Sequence, residues 1–194
     1  EGTGVSIRSA LPIESTPVCA GARDALGFFA RLGFEPTHPI VIEVTLDLPG
    51  SVNDGAVGCY IDSTHRPIVI PRRAFLDQGT WFAVSVDDAL YRGLVAHEVA
   101  HAVAACHFLP LRPTIQAQEY IAYVAMFATM DAGLRRRILA ANPDPAFDSE
   151  LKINATVYLC DPMAFAVRSY RHYLAAADGD AFIRRVLSGR ALAD

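Results

Sequence analysis

The sequence has no apolar run of the roughly 18 residues that a membrane-spanning helix needs, so it contains no span. It has no Cys-x-x-Cys pair, which argues against a zinc knuckle or a dithiol redox motif. Internal repeats and low-complexity tracts are missing, which argues against a solenoid or a disordered tail. Positive charge is scarce, with a net charge of -4, and the short clusters Arg135-Arg136-Arg137 and Arg184-Arg185 read as solvated helix faces. Nucleic acid is therefore not an expected partner. The opening residues EGTGVSIRSALP carry no basic-then-apolar leader pattern.

What is present is a 194-residue chain that is 52% hydrophobic and 20% charged, enough for one buried core in a single domain over 1–194. Its four cysteines, Cys19, Cys59, Cys106 and Cys160, are an even number. Two disulfides in a secreted or periplasmic protein fit that count, and buried thiols in a cytoplasmic one are the alternative. Of the three possible connectivities, Cys106 with Cys160 and Cys19 with Cys59 would pin two helix ends together.

Apolar residues at helical spacing predict a first helix from Pro17 to Leu32, stopped by Gly33. Strict alternation over 39–50 predicts a half-buried strand, and 57–61 with 67–70 read as a hairpin around DSTHR. Ser85 and Asp88 have capping-box spacing before a long apolar stretch, Ala89 to Phe108. Further helices are expected over about 114–140, 149–160 and 162–177, followed by a short one after Asp178. The expected class is α+β: a small mixed sheet with a helix in an N-terminal lobe (about 1–108), then a helical lobe (about 109–194).

The long apolar helix carries His97-Glu98-Val99-Ala100-His101. Residues four apart lie one turn above each other, so both imidazoles can reach one ion. Glu98 points about 100° away from His97, beside the ion's open position, where it can take a proton from a water. Leu94 to Ala104 surround the motif with apolar residues, and histidines and a carboxylate buried there are costly unless something organises them. A Zn2+ ion is the simplest organiser.

A third ligand is needed. Glu119 shares a stripe with Ala122, Tyr123, Met126, Phe127 and Met130, so its carboxylate should face the core. His107 is the alternative, at metzincin spacing from His97 and His101. In that register a glycine ends the helix. Ala104 stands there instead, and a continuing helix would carry His107 roughly 9 Å along the axis, out of reach.

HEVAH followed by a helical glutamate resembles the gluzincin branch of the zincin metallopeptidases, particularly its small single-domain members, over about Ser85 to Met130. The resemblance implies a zincin-like fold, His97, His101 and Glu119 as zinc ligands, Glu98 as general base, and a peptide or protein substrate. It also implies that a strand at Pro67 to Ile70 offers its edge to that substrate. Many gluzincins place an aspartate four residues after the ligand glutamate to orient the first histidine; this chain has Tyr123. They commonly take an oxyanion donor from a downstream Tyr or His, which makes His172, and after it Tyr170, the expected donors in AVRSYRHY. A non-catalytic module using the same ion to join two lobes or bind a partner is the rival reading. His38 and His65, in Pro-adjacent turns, are expected at the surface.

Overall fold

The structure is a computed structural model, and it describes residues 4–9, 15–45 and 68–193. Its class is α+β, with eight α-helices and a small sheet among those residues. Strand β1 (Val5–Ser9) leads through helix α1 (Ser15–Arg31) to β2 (Ile40–Thr45), which pairs parallel to β1 and also to β3 (Ile68–Pro71). The order is β1-β2-β3, so the expected mixed sheet is parallel throughout its described strands. The predicted alternation holds in β2, where Ile40, Ile42 and Val44 are buried and the residues between them only half so. The rest of the 39–50 run, residues 57–61, Cys59 and His65 lie outside the described residues. The second arm of the expected hairpin is β3, and it pairs with β2.

After the short helix α2 (Arg72–Leu76), a two-residue turn joins β4 (Thr80–Trp81) to β5 (Val84–Ser85). Both turn residues, Phe82 (φ 51°) and Ala83 (φ 57°), are left-handed. Positive φ at both central positions is the type I′ form that suits strand twist, yet it costs on the order of 1–2 kcal/mol for each residue bearing a Cβ. Helix α3 (Asp88–Ala105) follows. Its cap is Asp87, whose carboxylate accepts from Leu90 N at 2.8 Å, not the expected Ser85, which is paired to Thr80 in the hairpin.

The expected helix over 114–140 is two helices, α4 (Ile115–Thr129) and α5 (Ala132–Ala141). Met130 turns extended, and Asp131 caps α5 by accepting from Gly133 N and Leu134 N. Arg135 is not a purely solvated cation, because it donates to Phe127 O and Met130 O at the end of α4. The expected helix over 149–160 is a 3-10 turn (Glu150–Lys152) followed by α6 (Ala155–Cys160), capped by Asn154. Helix α7 (Pro162–Ala175) begins with Asp161 as cap and Pro162 in the first turn, and α8 (Gly179–Leu187) begins at Asp178, both as expected.

Cys19, Cys106 and Cys160 are free thiols, so the expected Cys106–Cys160 bridge is not formed. Helix α6 packs on α4 and α7, and the Cys106 thiol points back at Ala102 O. The cysteine argument for export thus finds no support in the described residues.

The core gathers around α3, which packs against α1 on one side and α4 on the other. From Leu90 to Ala104 every residue of α3 is buried except Arg92 and His101. Arg92 instead forms a two-pronged ion pair with Asp24 of α1. Where the two helices cross, Gly21 has no side chain to spare: a Cβ there would lie 2.7 Å from the Val95 Cβ and collide with the Arg92 carbonyl. Gly21→Ala should therefore destabilise the fold by about 1–3 kcal/mol despite alanine's better helix propensity. Urea unfolding of the variant checks this, and unchanged or increased stability would refute the close crossing.

Candidate metal centre

Helices α3 and α4 run antiparallel, which sets Glu119 opposite His101 and Tyr123 opposite His97. The two Nε2 atoms are 3.1 Å apart. Glu119 Oε2 stands 3.6 Å from His97 Nε2, and Oε1 stands 3.6 Å from His101 Nε2. A tetrahedral ion with bonds of about 2.0–2.1 Å has ligand-to-ligand edges of roughly 3.3–3.4 Å. The two imidazole nitrogens and the carboxylate group therefore stand about one such edge apart, each oxygen facing a different imidazole, and the donor types, two imidazole nitrogens and a carboxylate, suit Zn2+. These are also the residues that form a potential metal-holding group among the described residues.

Electrostatics point the same way. Burial pushes the Glu98 carboxyl up to about 8, with the Glu119 charge adding to it. Glu119 itself is pushed up to about 7 by burial, partly offset by the nearby Tyr158 hydroxyl. Burial holds both imidazoles in the neutral form, His97 far below its usual value and His101 down to about 4. Two acids and two bases thus meet in one desolvated volume, and no lysine or arginine pairs with any of them among the described residues. A dication would match two ionised carboxylates and coordinate two neutral imidazoles.

Tyr123 and Tyr158 face the same volume, since the Glu98 and Glu119 charges raise both phenols in addition to their burial. Tyr158 was not anticipated from the sequence. It lies on the six-residue helix α6, 39 residues beyond Glu119, and nothing in its local spacing distinguishes it from a packing aromatic. Only the docking of α6 on α4 brings it to the carboxylate.

The remaining expected residues sit elsewhere. His172 Nδ1 is 2.8 Å from the Tyr120 hydroxyl, with its ring against Phe182. Tyr170 is stacked between Phe127 and Tyr173, under the Arg135 guanidinium. Both contact sets belong to the α4–α7–α8 aromatic cluster, so the structure does not bring these two residues to the His97–Glu119 group. His107 follows the end of α3, donates from Nε2 to Glu35 O (2.7 Å), and packs on Phe34. Ala104 is helical, as its propensity suggested, and His107 stays out of the ligand group. His38 is exposed.

Residues 5–194 match a family of unknown function, DUF6639, and the chain belongs to that family. No curated protein and no solved structure matches it.

The buried acids set a pH signature for the metal-stripped protein. Both carboxyls keep their protons longer in the folded than in the unfolded chain, so folding stability falls as pH rises from about 4.5 to about 8. The imidazoles act oppositely, adding stability as pH rises, but most of that gain is in place by about 6.5. Between pH 6.5 and 8 the decline outweighs what is left of it. The melting temperature of the metal-free protein should drop across that interval, and less steeply in Glu98→Gln. A flat curve for the stripped parent would show that these acids are not buried as described.

Proposed function

We propose that this member of DUF6639 is a zinc-dependent metallopeptidase of gluzincin type, with His97, His101 and Glu119 holding the ion and Glu98 serving as general base. The observation that carries this reading is the convergence of two imidazoles and the Glu119 carboxylate within ligand distance of one another, with a second carboxylate, Glu98, beside them. A site built only to join two lobes has no use for Glu98. That residue is buried in a helix otherwise lined by apolar side chains, where an extra acid is a standing cost.

When bound, Zn2+ would supply Lewis acidity, easing loss of a proton from water and polarising a peptide carbonyl. The chain's own residues do the rest. Glu98 accepts a proton from the attacking water as its oxygen bonds to the carbonyl carbon, then delivers that proton to the amide nitrogen as the C–N bond breaks. Its burial keeps this carboxyl readily reprotonated, which suits a group that takes a proton and returns it. Tyr158, beside Glu119, takes the oxyanion-donor role that the sequence suggested for His172 and Tyr170. The substrate is an extended peptide or protein segment. Strand β3 has no partner on its outer edge among the described residues, which supports binding by strand addition.

Metal analysis and cleavage of a broad peptide library test this together. His97→Ala, His101→Ala and Glu119→Ala should lose stoichiometric zinc, and His107→Ala should keep it. Glu98→Gln should keep zinc and lose about 10²–10⁴-fold in rate. Tyr158→Phe should lower kcat by about 10²–10³-fold at unchanged zinc content. Zinc retained by Glu119→Ala would refute the ligand set. A zinc-loaded parent that cleaves nothing would favour the non-catalytic module.

A further inference from the structure

A histidine ligand is usually oriented by a hydrogen bond from its second ring nitrogen to a carboxylate or carbonyl. His97 has no such bond among the described residues: its Nδ1 is buried and without a partner there. Its ring is instead held by faces and edges. The Tyr123 ring centroid lies 4.4 Å away at 51°, and the His101 ring centroid lies 4.7 Å away at 83°. Tyr123 is backed in turn by Phe82, edge-on at 6.3 Å and 88°. Phe82 is gripped by Trp81 (4.6 Å) and Phe127 (5.4 Å), and its carbonyl accepts from Asn142 Nδ2 (2.9 Å) at the end of α5.

Phe82 is an odd residue for its place. Hairpin tips are normally solvated and left-handed positions favour glycine or asparagine, yet this tip is a fully buried phenylalanine at φ 51°. A strained backbone persists where the surrounding contacts over-determine it, and here those contacts lead straight to a ligand.

We infer that Phe82 and Tyr123 form an aromatic clamp that positions the His97 imidazole for the metal, in place of a hydrogen-bonded carboxylate. Both are positioning residues. The inference rests on the metal centre proposed above, and it assigns the task to the ring of Tyr123, not to its hydroxyl. Mechanically, loss of the ring frees rotation about the Cβ–Cγ bond of His97, so Nε2 no longer waits in register with His101 and Glu119.

The test is zinc affinity, measured by competition with a chromophoric chelator, alongside the absorption bands of the Co2+-loaded protein and the melting temperature of the stripped protein. Tyr123→Leu should weaken zinc binding by about 10–100-fold and alter the Co2+ bands. Tyr123→Phe should stay within about twofold of the parent with unaltered bands. Phe82→Leu should weaken binding by a smaller factor, and it carries the test alone if Tyr123→Leu does not fold. A loss of affinity in Tyr123→Phe equal to that in Tyr123→Leu would assign the role to the hydroxyl and overturn the clamp. Parental affinity in both leucine variants, or in Phe82→Leu where only it folds, would also overturn it. His97→Ala separates the two levels. If it binds zinc as tightly as the parent, the metal centre fails and the clamp with it; if it loses zinc while the leucine variants do not, the clamp alone fails.

Discussion

Burying ionisable groups without countercharge is the constraint on which this molecule turns. Helix α3 is apolar on nearly every face and enclosed between α1 and α4, yet it carries two imidazoles and a carboxylate, and α4 adds a second carboxylate. Desolvation drives all four towards neutrality. Such an arrangement is unfavourable in an apolar core by itself and becomes favourable around a cation, so the proposed metal loading would be coupled to folding.

The architecture serves that constraint by fixing α3 from several sides. Gly21 lets α1 approach until backbone meets side chain, and the Arg92–Asp24 pair closes the same interface from its solvent edge. Helix α4 delivers Glu119 across an antiparallel crossing, with Thr114 capping its start and Arg135 covering the carbonyls at its end. The β4–β5 hairpin inserts Phe82 behind Tyr123. Rigid elements, not loops, thus hold the proposed ligands, which suits a centre whose donors need placement to a few tenths of an ångström.

Much of the secondary structure was legible because its signals are local. Gly33 after α1, Asp161-Pro162 before α7 and Asp178 before α8 act through short-range sterics and capping bonds that a few neighbouring residues decide. Where the expectation failed, two local signals competed. Asp131-Ala132-Gly133 could continue an apolar helical pattern or cap a new helix, and the cap won. Ser85 and Asp87 could each cap α3, and pairing of Ser85 in the hairpin removed it from the contest. The Cys106–Cys160 pairing rested on both residues ending helices, a statement about sequence with no information on where those ends lie in space.

The sequence by itself determined that His97 and His101 share one helical face, that Glu98 stands off it, and that Glu119 faces the core, because each follows from a 3.6-residue repeat within one element. Tertiary structure alone decided which aromatic groups reach those residues. Tyr158 meets Glu119 because α6 docks on α4; Phe82 backs Tyr123 because a strained turn folds inward; His172 and Tyr170 are drawn instead into the cluster around Tyr120 and Phe127. Periodicity specifies direction along a helix. It carries no information about the partner that packing will supply.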